Sequence, residues 1–257
     1  MSPAGAERRR KRVLSIASPV VFLLIWEAVV RLGWLDARFV PPPSAVVLRF
    51  FDLAQSGELW KDVSITLFRI GAGYTLGVIP GIAIGLLMAM WKPLRYVLDP
   101  LVAAIFPIPK IALMPLLLLA FGIGEMSKIV LVAIATFFPV LISTYAGAAN
   151  IENIYLDAAR NFGANAGMMF REVIFFGALP QIFAGLRLAM GTSFLVIVAA
   201  EFVSADTGIG QLIWTSWQVL QVDRMFVGIA LIGVLGVIST SILQEIERRL
   251  VPWRARS

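Results

Sequence analysis

Residues 129–149 read IVLVAIATFFPVLISTYAGAA, a run without a charged side chain. A helix that crosses the hydrocarbon core of a bilayer needs about 20 apolar residues. Two further runs meet that length without charge, Ile70–Trp91 and Met225–Gln244. Leu188–Ala200 is lengthened past Arg187 by Ile182–Leu186, Leu101–Gly124 is interrupted by Lys110, and Val13–Val30 carries Glu27 near its end. The expectation is an all-α, polytopic membrane protein with six transmembrane helices. Composition agrees: 59% of the 257 residues are hydrophobic, 15% are charged and the mean hydropathy is +0.86. Soluble domains run near 45–50% apolar and about 25% charged. Cysteine and histidine are absent, which excludes disulfides, thiol chemistry and the usual zinc sites.

The basic run Arg8-Arg9-Arg10-Lys11-Arg12 precedes the first span, and Arg248, Arg249, Arg254 and Arg256 follow the last. Basic flanks mark the cytoplasmic side, so six spans place both termini there. A signal peptide is the competing reading of the N-terminus, but no small-x-small cleavage site follows the apolar run. On a membrane protein these charges set orientation, so no nucleic-acid partner is expected. Trp34, Trp60, Trp214 and Trp217 fall at the outer interface, and Trp91 and Trp253 at the inner one, as aromatic belts do. The sequence divides into a basic N-terminus 1–12, a first span with an outer interfacial helix 13–62, a five-span core 63–250 and a tail 251–257. Ser44 is expected to cap a short helix over Ala45–Ala54 after Pro41-Pro42-Pro43. That helix either lies on the outer surface or packs on the spans.

Proline and glycine recur inside the spans: Pro80, Gly81 and Gly85, then Pro107, Pro109 and Pro115, then Pro139. Proline breaks a helix, and bilayers tolerate broken backbone where protein or a water-filled path receives it. Phe106-Pro107-Ile108-Pro109-Lys110 is the strongest candidate for a broken, cavity-lining segment, with a plain packing kink as the alternative. Arg69, Lys110, Arg187 and Glu201 lie in or near the spans, where charge is costly and faces protein or water. Arg69 and Glu201 share a depth and are expected to pair. Lys110 either meets a passing anion, snorkels, or pairs with Asp99.

The cytoplasmic loop from Asn150 to Leu179, within 150–180, is long and neither apolar enough to span nor polar enough to be disordered. It is expected to form two short helices around a glycine. Asn150 or Asn153 would cap the first, Asp157 would favour its dipole, and Gly163 suits the left-handed position after it. Met168, Met169 and Phe170 would lie on the second. The residues allow two readings: insertion into a partner's groove, or an amphipathic hairpin resting on the membrane.

The segment resembles the EAA loop of ABC-importer permeases: Glu-Ala-Ala, three residues, Gly, nine residues, then Ile-x-Leu-Pro. Asp157-Ala158-Ala159 stands for Glu-Ala-Ala, Gly163 falls at the family spacing, and Val173 takes the Ile position. Phe175-Phe176 replaces Leu-Pro, a departure, while a second Leu-Pro is present as Leu179-Pro180. Phe121-Gly122-Ile123-Gly124-Glu125-Met126-Ser127-Lys128, Phe137-Phe138-Pro139-Val140, Gly185-Leu186-Arg187, Ala199-Ala200-Glu201, Thr207-Gly208-Ile209-Gly210 and Val40-Pro41-Pro42-Pro43-Ser44 are similar to the sulfonate, taurine, nitrate and bicarbonate permease group. The resemblance implies the type I ABC importer permease fold in a bacterial inner membrane. Two permease copies, a homodimer, would form the path; two cytoplasmic ABC ATPase subunits and a periplasmic or lipid-anchored solute-binding protein would complete the machine. It implies docking of the ATPase on Tyr155, Leu156, Asp157, Ala158, Ala159, Arg160, Phe162 and Gly163. Pro107, Pro109, Lys110, Arg69, Arg187 and Glu201 are the candidates for the pathway or for intramembrane ties. No Gly-x4-Gly-Lys-Ser/Thr motif occurs in the chain, so no ATP or other cofactor is expected on it. Aliphatic sulfonate or taurine is the leading solute. Nitrate, bicarbonate or an uncharged heterocycle is the alternative, and a secondary carrier or a membrane enzyme is the reading from a different class.

Overall fold

The computed structural model describes residues 3–253. The side chains of residues 3–9, 11, 12, 15 and 16 also lie outside the described residues, as do Arg254 and Arg256 of the expected basic tail. The described chain is helical: α1 (Pro3–Arg31), α2 (Pro43–Ser56), α3 (Glu58–Met90), α4 (Lys92–Ile105), a 3-10 turn (Lys110–Leu113), α5 (Met114–Phe121), α6 (Glu125–Ala149), α7 (Asn153–Asn161), α8 (Ala166–Met168), a π segment (Met169–Ile174), α9 (Phe175–Ser204), α10 (Ile209–Gln218) and α11 (Val222–Leu250). Two compact units emerge, Met1–Trp60 with Leu212–Ala230, and Lys61–Gln211 with Leu231–Ser257.

Among the described residues four helices are long and apolar enough to cross a membrane: α3, α6, the continuous Ala166–Ser204 and α11. The pair Lys92–Ile105 and Lys110–Phe121, bent by 92°, would make a fifth. The described residues thus account for up to five of the six expected spans. The expected span 101–124 is broken at the Phe106–Lys110 cluster, as its prolines led one to expect: its first helix begins at Lys92 and the chain folds over at 106–109. Pro107 and Pro109 supply no N–H there, so the helical ladder stops. The sixth expected stretch, 13–30, lies within α1, part of whose side chains are outside the described residues. Large apolar side chains such as Phe22 and Leu24 of α1, Leu195 of α9 and Val237 of α11 are exposed, and a surface of that kind suits lipid.

In the first unit, α2 begins two residues earlier than expected, with Pro43 in its first turn and Pro42 at the cap. Ser44 is inside the helix and caps nothing. Its backbone N–H and hydroxyl instead donate to the Glu27 carboxylate, at 3.0 and 2.8 Å, which Arg31 also engages at 2.6 Å. The carboxylate from α1 thereby serves the open N–H end of α2. Val46 and Leu53 are buried, while Val47 and Phe51 are exposed, so α2 packs with a narrower apolar face than its sequence suggests.

The second unit is organised on α6. Gly73, Gly81 and Gly85 of α3 lie so close to it that an added Cβ would stand 2.6 Å from Ile129 O, 3.0 Å from Phe137 O and 2.8 Å from Leu141 O. Gly77 is closer still, against Ala133 and Thr136. Glycines at every fourth position let two helix backbones touch, the way helices associate where lipid removes the hydrophobic drive. Gly81 and Gly85 are therefore packing residues and not helix breakers, and α3 runs unbroken through Pro80. On its other side α6 pairs with α9, where Val140, Ala178, Ile182 and Ala189 are buried.

Candidate functional site

α6 and α9 are antiparallel neighbours joined by the 150–165 connection, so the pair has two ends of different character. At one end stand Glu125 and Glu201, and at the other the connecting loop.

The charged end is closed. Arg69 of α3 is 1% exposed and Glu201 of α9 is fully buried. They meet at 2.6 Å, the pair expected from their common depth. The structure adds partners that the sequence reading missed. Glu125, at the start of α6, receives Arg69 through two N–H groups at 2.5 and 2.7 Å. Arg69 also donates to Thr207 O at 2.7 Å. The second Glu201 oxygen accepts the Gly210 N–H at 2.7 Å, and the first accepts the Thr66 hydroxyl at 2.8 Å. Thr66 in turn accepts the Ile209 N–H, and Asp62 accepts the Gly208 N–H. The open N–H groups that lead into α10 are thus taken up by oxygens of α3 and α9. Gly208 has φ +124, and a Cβ there would stand 2.5 Å from Glu201 Oε1, so the Thr-Gly-Ile-Gly turn needs glycine at that place. A buried charge persists when paired and fully hydrogen-bonded, and the planar five-donor guanidinium suits two carboxylates at once.

The other intramembrane charges are used separately. Lys110 donates to the carbonyls of Ile105, Phe106 and Ile108 at 3.0, 2.9 and 2.9 Å, and its ammonium lies 4.8 Å from the Phe138 ring centre. An ammonium has three donors, and all three serve carbonyls freed by the break between Pro107 and Pro109. The suggested Lys110–Asp99 pair does not form; Asp99 pairs with Arg95 at 3.1 Å. Arg187 of α9 pairs with Glu247 of α11.

The loop end is open. α7 forms as the first expected helix, but Glu152 precedes it and no side chain caps it; neither Asn150 nor Asn153 has that role. Asp157 is the fifth helical residue, past the reach of the helix N-terminus, and bonds Arg160 at 2.9 Å. The close of the helix is as expected. Gly163 has φ +81, the Ala164 N–H reaches Ala159 O and the Gly163 N–H reaches Arg160 O, the paired bonds of a Schellman ending. The second short helix does not stand alone. Asn165 caps the turn at Met168 N with a 2.9 Å bond, and the chain then runs through the π segment directly into α9. With phenylalanine at 176 nothing stops the helix there, and Pro180 lies inside it.

Every residue of α7 is exposed or half-buried. Phe162 is 91% exposed, and Ile154 and Tyr155 are also exposed. Between α7 and the base of α9 lies a groove of about 490 Å³, lined by Ile151, Tyr155, Ala158, Val173, Phe176 and Trp253 among others. The exposed side chains of α7 and of the residue that closes it, Ile154, Tyr155 and Phe162, form an apolar patch of the kind that marks an interaction site, and the groove beside it also carries the Glu172 carboxylate.

Residues 81–252 match the family described as binding-protein-dependent transport system inner membrane component. The chain is 34% identical to the taurine transport system permease protein of Escherichia coli (strain K12), over 95% of this chain and 90% of that one. It is 35% identical to a putative aliphatic sulfonates transport permease protein of Bacillus subtilis (strain 168), over 92% and 86%, and 37% identical to its Escherichia coli counterpart, over 91% and 89%. Among solved structures, it is similar to a subunit of the inward-facing methionine ABC transporter, with a TM-score of 0.63, 20% identity and coverage of 79% and 98%. An amino acid ABC transporter matches with a TM-score of 0.64, 21% identity and coverage of 78% and 98%. The fold is that of type I ABC importer permeases, and the chain belongs to the family of binding-protein-dependent transport system inner membrane components, the membrane-spanning permeases of ABC importers.

Proposed function

We propose that α7 is the docking helix for a cytoplasmic ABC ATPase, and that the chain is the pathway subunit of an importer for a small organosulfonate such as taurine. The observation that carries the docking reading is the exposure of α7: a terminated helix whose Tyr155, Phe162 and Ile154 side chains have no cover in this chain. A second, identical permease copy completes the path, and a binding protein delivers the solute on the far face. Hydrolysis belongs to the ATPase. The termini and α7 face the cytoplasm of a bacterial cell, and the Arg69–Glu201 end faces outward.

The names of the relatives support taurine or another aliphatic sulfonate over nitrate, bicarbonate or a heterocycle. Arg69 and Glu201 are read as a tie between spans, because Nε, Nη1 and Nη2 of the guanidinium and both carboxylate oxygens of Glu201 are engaged within the chain. Lys110 is read as the clamp of the broken span. Two measurements test the function. Replacing residues 156–163 with a Gly-Ser run is expected to abolish co-purification of the ATPase; retention of the ATPase refutes the docking reading. Calorimetry on the cognate binding protein is expected to show binding of taurine or alkanesulfonates and not of nitrate; the reverse order refutes the solute.

A further inference from the structure

We propose that Trp253, with Phe176, is a positioning residue that converts movement of α7 into movement of α9 and α11. The proposal rests on reading α7 as the ATPase-docking helix.

α7 packs against the π segment that leads into α9 and leaves a groove beside it. It is anchored at its start, where Ile151 Cδ1 fills the space beside Gly177, 3.0 Å from where a Cβ would be. Beyond that contact the groove of about 490 Å³ separates Tyr155 and Ala158 of α7 from the opposite wall. That wall carries Phe176 and Trp253, two rings packed edge-on with centres 6.1 Å apart and planes at 68°. Phe176 packs on Phe175 at 5.8 Å, and Phe175 on Phe170 at 6.4 Å. The four rings run from the π segment to the end of α11.

Each end of that ring chain joins something that can transmit force. Behind Trp253, Val251 is 2% exposed in a cluster with Ala178, Leu179 and Ile182 of α9, and Arg187 ties α9 to Glu247. The ends of α9 and α11 thus move together. At the other end the rings start in Met169–Ile174, whose π geometry is rarer than the α form and recurs at functional sites. A partner that presses α7 into the groove pushes on the ring pair and, through the π segment that α7 already touches, on the other end of the ring chain. Phe176 stands where the resembling loops carry proline, so in this chain a ring occupies the place of a helix break.

The experiment uses the full permease in lipid nanodiscs with its cognate ATPase and binding protein. It reads three quantities: ATPase bound, basal ATP hydrolysis and stimulation of hydrolysis by the binding protein. Trp253→Ala is expected to keep the bound ATPase and the basal rate. Stimulation is expected to fall by roughly two- to tenfold, the equilibrium shift that one edge-on ring pair represents. Trp253→Phe, which keeps a ring, is expected to keep the stimulation. If Trp253→Ala does not assemble, Phe176→Leu carries the test with the same expected loss. Undiminished stimulation in the assembled variant overturns the proposal, and so does equal loss in Trp253→Phe. ATPase that stays bound when residues 156–163 are replaced overturns the docking reading instead, so the two failures are distinct.

Discussion

The two ends of the α6–α9 pair treat polar and apolar groups in opposite ways. At the Arg69 end, the carboxylates of Glu125, Glu201 and Asp62, a guanidinium, a threonine and three backbone N–H groups satisfy one another, with Arg69 and Glu201 buried and Glu125 partly exposed. At the α7 end, rings and aliphatic side chains stand in the open and the one ion pair of the helix is exposed. A closed network holds a structure together, because each member is costly to remove. An open apolar helix contributes little to the stability of its own chain, and its surface is available to another. The difference suits tying at one end and the proposed docking at the other, although charge in a membrane and an exposed loop both attract functional readings.

Substitutions can break this contrast, and the largest effect is expected at the closed end. Arg69→Ala leaves Glu201 buried without its counter-ion and is expected to cost roughly 3–5 kcal/mol, read as loss of folded protein and a lower unfolding temperature in detergent. The charge swap Arg69→Glu with Glu201→Arg is expected to fold better than either single change; no recovery would mean that the pair does not act as a tie. Gly73→Ala brings a Cβ against the Ile129 carbonyl and is expected to cost about 1–3 kcal/mol, while the same change at the open Gly71, where a Cβ has nothing within 4 Å, is expected to be tolerated. Lys110→Met takes the ammonium from the Phe106 and Ile108 carbonyls at the bend, while Ile105 O keeps the Ile108 N–H, and is expected to cost about 1 kcal/mol with solute preference unchanged; a changed preference would return Lys110 to the pathway. At the open end Asp157→Asn removes an exposed pair and is expected to shift stability by less than about 1 kcal/mol.

The spans, the long loop and the turn at Gly163 were legible because each depends on local chemistry: apolar length, absence of charge, and a residue able to take positive φ. The Arg69–Glu201 pair was legible from depth alone, since connectivity puts both residues at one end of their helices. Glu125 was not, because its side of α6 depends on how that helix is rotated, which single-sequence depth does not fix. The four-residue spacing of Gly73, Gly77, Gly81 and Gly85 was present in the sequence. Reading Gly81 and Gly85 beside Pro80 as breakers hid it, since packing against α6 decides which role a glycine takes. Lys110 was read through its charge, whereas its geometry follows from Pro107 and Pro109, which leave carbonyls within its reach. Merging of the second loop helix into α9 follows from phenylalanine at 176, a departure that was visible but whose consequence depends on Phe170, Phe175 and Trp253 packing around it.

The most direct test of the docking end is Phe162→Asp, because that side chain is almost fully exposed. The permease would be purified with its ATPase, and both the amount of ATPase retained and the unfolding of the permease would be measured. The account predicts loss of the ATPase with permease stability altered by no more than about 0.5 kcal/mol, as for surface changes generally. ATPase retained at the wild-type ratio, or lost only together with unfolding of the permease, would contradict it.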